Sequence, residues 1–370
     1  MILNVDCLLG LKSFPDASFD SIVTDPPYEL GFMGKSWDST GIAYNVEVWK
    51  ECLRVLKPGG YLLAFSGART YHRMACAIED AGFDIRDQIM WVYGSGFPKS
   101  HNLSGEHEGW GTALKPAHEP IVMARKKLIG TIQNNMNVYG TGAINVDKCR
   151  IEAQSEKDLK EIQSARPSKT SNDYTLNHGS LEGFDRSNRD HITGRWPANI
   201  IHDGSDEVVA LFPNSKGQQG NVTGNEASNV TNGIYGEFNN RVPFNKRDDN
   251  GSAARFFYCA KASKFDRDEG LENFTSETVS DGRTIPADKH YQRGATLRKN
   301  IHPTVKPTEL MRYLCRLVTP VNGSILDPFA GSGSTGKAAI LENFIFIGFE
   351  LSKEYSEIAQ ARIDAVKINT

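Results

Sequence analysis

A doubly wound, mostly parallel α/β sheet carrying a long polar insertion is the fold this sequence predicts, and three observations predict it. Short apolar runs alternate with helical periodicity over residues 1–125, a strand, glycine loop, helix and second strand occupy 324–350, and the stretch between them is polar. Alternation of strands with helices implies a parallel sheet, because parallel neighbours need a crossover, usually helical.

The elements follow in order. Ile2-Leu3-Asn4-Val5 reads as a short strand, and Ile22-Val23 is the core of a buried parallel one within Phe19–Thr24. Trp49, Leu53 and Leu56 recur at helical spacing until Lys57-Pro58-Gly59-Gly60 stops that helix. Three more strands are expected at Tyr61–Phe65, Ile89–Val92 and Pro120–Ala124. The glycine-rich run from Tyr93 to Ser100 then falls on the same sheet edge as Asp25.

Between about 126 and 260 the texture changes. Seventeen asparagines occur there, Lys/Arg and Asp/Glu are balanced at sixteen each, and apolar runs shorten. Glu152–Asn177 is almost free of apolar residues and is expected to lack fixed structure without a ligand. Asn, Gln and Arg side chains can read base edges in a DNA major groove. Past this stretch, Leu310, Leu314, Leu317 and Val318 mark a helix ending at Pro320. Ser324–Asp327 is a strand, Lys337–Leu341 a helix and Phe344–Glu350 a closing strand.

Composition excludes several classes. At 39% hydrophobic and 24% charged, the chain is expected to be an ordinary soluble globular protein. Met1–Asp6 lacks the basic start and long apolar run of a secretory signal, and no stretch is long enough to span a membrane, so a cytoplasmic location is expected. Six cysteines are scattered without a Cys-x-x-Cys pair, which argues against disulfides and zinc. The formal net charge of −3 does not advertise a nucleic-acid binder, but six Lys/Arg face one acid between Arg283 and Lys306. That strip, with Arg293, Arg298 and Lys299 at its centre, is a candidate phosphate contact.

Two motifs carry the chemistry. Asp25-Pro26-Pro27-Tyr28 follows the Phe19–Thr24 strand and forms a stiff loop, since neither proline donates a backbone hydrogen bond and each fixes its own φ. The Asp25 carboxylate and the Pro26 carbonyl are acceptors that could hold a planar amine, and Tyr28 offers a flat face. The second motif is Asp327-Pro328-Phe329-Ala330-Gly331-Ser332-Gly333-Ser334-Thr335. Gly331, Gly333 and Gly336 also satisfy the dinucleotide fingerprint Gly-x-Gly-x-x-Gly, with Glu350 about twenty residues on to hold a ribose. An NAD-dependent oxidoreductase is therefore the rival reading, although only two strands remain for such a fold after Ser324.

With both motifs in this order, the chain resembles the S-adenosylmethionine-dependent DNA amino-methyltransferases of the permuted β class, whose catalytic motif is Asp/Asn/Ser-Pro-Pro-Tyr/Phe/Trp. The resemblance implies a circularly permuted, Rossmann-like methyltransferase sheet. In it the strands at 324–327 and 345–350 join those of residues 1–125, residues 126–260 form a target-recognition insert, and 261–370 supply DNA contacts and the cofactor part. It implies Asp25, Pro26, Pro27 and Tyr28 as catalytic residues. It also implies S-adenosyl-L-methionine held by Asp6, by Asp327, Pro328, Phe329, Ala330, Gly331, Ser332 and Gly333, by Glu350, and by His302, Thr304 and Lys306 of a His-Pro-Thr-x-Lys-Pro run.

The implied activity is direct methyl transfer to the exocyclic amine of a base flipped out of double-stranded DNA, with no covalent enzyme intermediate. An Asp at the first motif position goes mostly with adenine N6 in that family, and cytosine N4 is the alternative. An RNA amino-methyltransferase is a weaker one, because the Asp start and the motif order point to DNA. A homodimer and a companion restriction enzyme are both compatible with the resemblance.

Overall fold

The computed structural model describes residues 1–31, 36–96, 100–164, 192–216, 250–261, 263, 266–279 and 296–366. Two compact units emerge, one comprising residues 1–149, 199–208 and 259–370 and the other 150–198 and 209–258. Of the stretch 126–260, residues 126–149, 199–208 and 259–260 thus cluster with the sheet.

In chain order the strands are β1 (Ile2–Asn4), β2 (Phe19–Thr24), β3 (Leu56–Phe65), β4 (Asp84–Val92), β5 (His118–Arg125), β6 (Ile151–Glu152), β7 (Gly194–Arg195), β8 (Ile200–His202), β9 (Asn214–Lys216), β10 (Asn250–Ser252), β11 (Tyr258–Cys259), β12 (Glu277–Val279), β13 (Thr296–Arg298), β14 (Ser324–Asp327) and β15 (Ile345–Glu350). The helices are α1 (Cys7–Lys12), α2 (Val46–Val55), α3 (Tyr71–Asp80), α4 (Ile132–Tyr139), α5 (Glu156–Ser164), α6 (Asp206–Val209), α7 (Thr308–Val318), α8 (Ser334–Leu341) and α9 (Lys353–Asp364).

The main sheet runs β1-β15-β14-β2-β3-β5-β4-β8-β11. Pairing is parallel from β1 through β3 and again between β4 and β8, whereas β5 is antiparallel to both β3 and β4. The two chain-terminal strands, β14 and β15, therefore enter the sheet formed by the first 125 residues. Every residue of β2 is buried, as expected for a parallel strand covered on both faces. Asp20 fastens its lower end: its Oδ2 accepts from the Ser324 amide at 2.7 Å and its Oδ1 from Lys57 Nζ at 2.6 Å. One side chain thus ties β2 to both of its neighbours.

Strand order places the site. From β14 the chain passes through α8 to β15 on one side, while from β2 it passes through α2 to β3 on the other. The reversal between β14 and β2 is a topological switch point, and the loops leaving the carboxyl ends of these strands flank a crevice.

Two details differ from the sequence reading. Helix α2 ends at Val55 and β3 begins at once with Leu56, whereas Lys57–Gly60 was expected to be a helix-stopping loop outside the strand. The pairing register jumps from Phe19↔Leu56 to Ser21↔Tyr61, so these residues are absorbed as a bulge in which Gly59 adopts φ +77°. The stretch after Glu152, expected to lack fixed structure, forms α5, with Ile162 buried and Asp158 accepting from the Gln154 amide at 2.9 Å. An ion pair between Asp158 and Arg195 supplies what the polar sequence hid. Residues 165–177 lie outside the described residues.

Among the described residues of the second unit, arginine side chains lie over aromatic rings. The Arg195 and Arg255 guanidinium groups lie 5.2 and 4.3 Å from the Phe256 ring centre, and Arg150 lies 5.8 Å from that of Trp196. Among the described residues no helix is long and apolar enough to cross a membrane.

Candidate active site

The loop after β2 is shaped by a residue ten positions downstream. The buried Asp38 carboxylate accepts from the Tyr28 amide at 2.7 Å, the Glu29 amide at 3.0 Å and the Leu30 amide at 3.2 Å. Three consecutive N–H groups converging on one carboxylate hold the segment in a tight curve, and Glu29 takes a left-handed φ of 56° within it. Asp25-Pro26-Pro27-Tyr28 is thereby presented to the crevice as a rigid unit.

Four side chains meet at its centre. Lys306 donates from Nζ to Asp25 Oδ2 at 2.6 Å and lies 3.4 Å from Glu119 Oε2. The Tyr28 hydroxyl donates to the same Glu119 oxygen at 2.9 Å, and Lys306 Nζ lies 5.3 Å from the Tyr28 ring centre. Lys306 is only 6% exposed. Burial alone would lower its affinity for a proton, but Asp25 and Glu119 outweigh that cost and hold the ammonium above its ordinary pKa. Burial, with Asp25 and Glu119 adding to it, pushes the Tyr28 phenol well above 10, so it remains a donor. The other carboxylate oxygen, Asp25 Oδ1, is buried with no hydrogen-bond partner among the described residues.

The glycine loop leaves the adjacent strand. Asp327, at the end of β14, accepts from the Thr24 hydroxyl at 2.6 Å and from the Phe329 amide at 3.1 Å. Burial raises its carboxyl to about 6 against these stabilising hydrogen bonds. Gly331 takes φ +52° and donates its amide to Glu350 Oε2 at 2.9 Å, while Ser352 donates to Glu350 Oε1 at 2.8 Å. A side chain on Gly331 would meet the His302 ring at 2.9 Å. Gly333 (φ +78°) faces α9 instead, where a Cβ would meet the Ala359 carbonyl oxygen at 2.9 Å. The buried Arg362 of α9 grips the same loop by donating to the Ser332 carbonyl.

His302 packs 4.7 Å edge-on to Tyr355 and 6.4 Å from the Trp37 ring. Its Nδ1 lies 2.6 Å from the Thr304 carbonyl, which can only accept, so Nδ1 carries the proton and Nε2 is left as an acceptor. Burial pushes this imidazole down to about 4.

Both motifs open into one cavity of about 2260 Å³. Its wall includes Asp25 to Tyr28, Asp327 to Ser332, Asp6, Glu350, His302, Thr304 and Lys306. Asp6, which also caps α1 by accepting from the Leu8 and Leu9 amides, sits at the end of β1, the neighbour of β15 where Glu350 lies. Gly333 is outside the wall. Lys306, which the resemblance implies as a cofactor residue, is bonded to Asp25 of the first motif. Of the basic strip, Arg298 lines the cavity, Lys299 donates to the Glu272 carbonyl at 2.7 Å, and Arg293 lies outside the described residues. Tyr93, Ser95 and Gly96 also reach the wall, while Phe97–Lys99 of that loop lie outside the described residues.

The sequence reading missed Glu119, Asp38 and Trp37. Glu119 precedes the apolar core of β5, where an acid flanking a strand is unremarkable, and Asp38 and Trp37 lie in a short 3₁₀ turn. Only the fold brings them to the crevice. The Trp37 Nε1 donor is buried without a partner among the described residues, as is the Asp25 Oδ1 acceptor, and both residues line the cavity.

The chain is 26% identical over 172 residues to Type II methyltransferase M.HpaI of Haemophilus parainfluenzae, covering 44% of this chain and 47% of that protein. It is 44% identical over 64 residues to Type II methyltransferase M2.DpnII of Streptococcus pneumoniae, covering 17% and 24%. The aligned stretches thus span less than half of either relative. Among solved structures, the M1.HpyAVI–SAM complex aligns over 98% of both chains at 17% identity with a TM-score of 0.42. The cytosine-N4-specific PvuII DNA methyltransferase aligns over 100% of this chain and 87% of its own at 14% identity and a TM-score of 0.45. The family model for DNA methylases of the N6/N4 type matches residues 19–361, nearly the whole chain and both motifs, and this protein belongs to that family.

Proposed function

We propose that this protein transfers a methyl group from S-adenosyl-L-methionine to the exocyclic amine of a base flipped out of double-stranded DNA, with adenine N6 as the favoured target. The observation that carries this reading is Asp25 Oδ1, a buried acceptor without a partner among the described residues, on a rigid loop in the wall of a large cavity.

The half of the cavity around Glu350 fits the cofactor better than a dinucleotide. Gly331 N–H, the amide that a pyrophosphate would need at this turn, is already donated to Glu350. A second anion there would face that carboxylate. Asp6 and Glu350 instead suit hydroxyls and an amino group, and the aromatic faces of Trp37 and Tyr355 flank His302 nearby. S-adenosyl-L-methionine supplies a methyl on a sulfonium sulfur, which the amine lone pair takes while the carbon–sulfur pair stays with sulfur.

The chain's own residues supply positioning. Asp25 Oδ1 and the Pro26 carbonyl accept the two amino hydrogens and turn the nitrogen lone pair toward the methyl. Tyr28, held by Glu119 and packed over Lys306, offers its ring to the flipped base. The amine becomes cationic as the bond forms, and the nearby carboxylates favour that charge until a proton leaves to solvent. Arg298 is suited to a phosphate of the strand entering the cavity, and the unit formed by 150–198 and 209–258 is suited to reading the sequence.

Expressing the protein in a methylation-free host and analysing the DNA nucleosides tests the reading. N6-methyladenine supports it in full, N4-methylcytosine moves the target to the alternative, and unmodified DNA alongside a purified protein that binds the cofactor would sink it.

A further inference from the structure

We propose that Lys306 is a positioning residue of the transfer reaction: shared between Asp25 and Glu119, its ammonium ties Asp25 Oδ2 and leaves Oδ1 as the acceptor for the target amine. The proposal rests on the methyltransferase reading and adds to it a residue that the sequence pattern assigns to the cofactor pocket.

The geometry carries it. Lys306 reaches Asp25 at 2.6 Å and Glu119 at 3.4 Å, so two carboxylates approach one buried cation closely enough to repel each other strongly without it. The ammonium is further enclosed by the rings of Phe65 at 4.9 Å and Tyr28 at 5.3 Å, which leaves it little other company. The cation offsets the charge of both acids, and with Oδ2 tied to it Asp25 keeps Oδ1 as an acceptor. Without it, one of the pair takes up a proton, and a protonated Asp25 would offer a donor to an amine that is itself a donor. The other titratable groups facing this cluster are Tyr28 and Tyr93, both held neutral as burial and the acid beside them push their phenols up, His302, held neutral in the folded state above about pH 4, and Asp327. None of them can replace the missing positive charge at neutral pH. Glu119 has a second role, because it orients Tyr28 through the hydroxyl bond at 2.9 Å.

The test compares wild type with K306M, K306R and the double variant K306M/E119Q. In K306M the acid limb of the kcat profile should move up by about 1 to 3 units, with S-adenosyl-L-methionine affinity within several-fold of wild type. K306R should keep the wild-type limb. The double variant, with one carboxylate removed and an amide still able to accept from Tyr28, should recover at least about tenfold of the rate that K306M loses near pH 6. Carbon-13 labelling of aspartate carboxyls, with Asp25 assigned by D25N, reads the same event without catalysis: Asp25 should gain a titration between pH 5 and 8 in K306M only.

If the profile and the carboxyl signal are unmoved, or if K306M chiefly loses cofactor binding, the proposal is overturned and Lys306 belongs to the cofactor pocket. If the Asp25 signal shifts as expected while wild type methylates no DNA, the charge pairing stands and the methyltransferase reading falls.

Discussion

Thr24 donates its hydroxyl to the Asp327 carboxylate at 2.6 Å, joining the last residue of β2 to the last residue of β14. One bond therefore links the strand ends from which the two motifs depart, and it does so in a buried setting where the Asp327 charge is costly. The relationship bears on stability as well as on the site.

Asp327 and His302 should make opposite contributions to the pH dependence of stability. The folded Asp327 carboxyl titrates near 6, above its ordinary 3.8, so its contribution is full below about pH 4 and is lost as pH rises through about 6. A shift of that size corresponds to about 3 kcal/mol. The folded His302 imidazole titrates near 4, below its ordinary 6.5, so its contribution is present above about 6.5 and lost as pH falls through about 4. Urea unfolding from pH 4 to 7 should show Asp327→Asn gaining on wild type as pH rises, and His302→Asn losing ground. Parallel curves for both variants would contradict these environments.

Asp25→Ala should abolish methyl transfer, by at least about a thousandfold, because it removes both the acceptor and the charge at the reacting amine. Cofactor affinity should stay within several-fold of wild type, since Glu350, Asp6 and Gly331, the residues proposed to hold the cofactor, are untouched. Equilibrium binding and tritium transfer separate the two effects. A fully active variant would remove Asp25 from the mechanism.

The glycine loop makes two distinguishable predictions. Glu350→Ala should weaken S-adenosyl-L-methionine binding and leave NAD binding absent in calorimetry. Gly333→Val should act through the fold instead, since φ is +78° and a Cβ meets the Ala359 carbonyl oxygen at 2.9 Å. Left-handed strain costs about 1 to 3 kcal/mol, so a lowered Tm should accompany any loss of binding. Weak binding at unchanged Tm would mean that Gly333 contacts the ligand.

Arg298 and Lys299 should part company in DNA binding. Arg298 lines the cavity, whereas the Lys299 ammonium is engaged with the Glu272 carbonyl. Neutralising Arg298 should reduce affinity for all sequences and lower the salt slope by about 0.9, while Lys299→Ala should leave the slope nearly unchanged. Titrations with cognate and scrambled duplexes at several salt concentrations check this, and an equal effect of both variants would place the strand elsewhere.

Residue order alone determined the sheet class, the two motifs and their adjacency to strand ends, because apolar periodicity, proline and glycine act locally and leave their mark in sequence. The Lys57–Gly60 bulge escaped that reading, since a Pro-Gly-Gly run looks like a stop until Asp20 and the register with β2 draw it into the strand. Helix α5 escaped it because an ion pair with Arg195, about forty residues away, offsets its polar composition. The cluster around Asp25 was half legible. Asp25 and Tyr28 announce themselves, but Lys306 sits 281 positions from Asp25 and Glu119 sits 91 from Tyr28. Which acid a lysine neutralises depends on a few ångströms of separation in a buried place. Only the strand order, with β14 beside β2 and β5 beside β3, decides that distance, and with it which oxygen of Asp25 is left without a partner among the described residues.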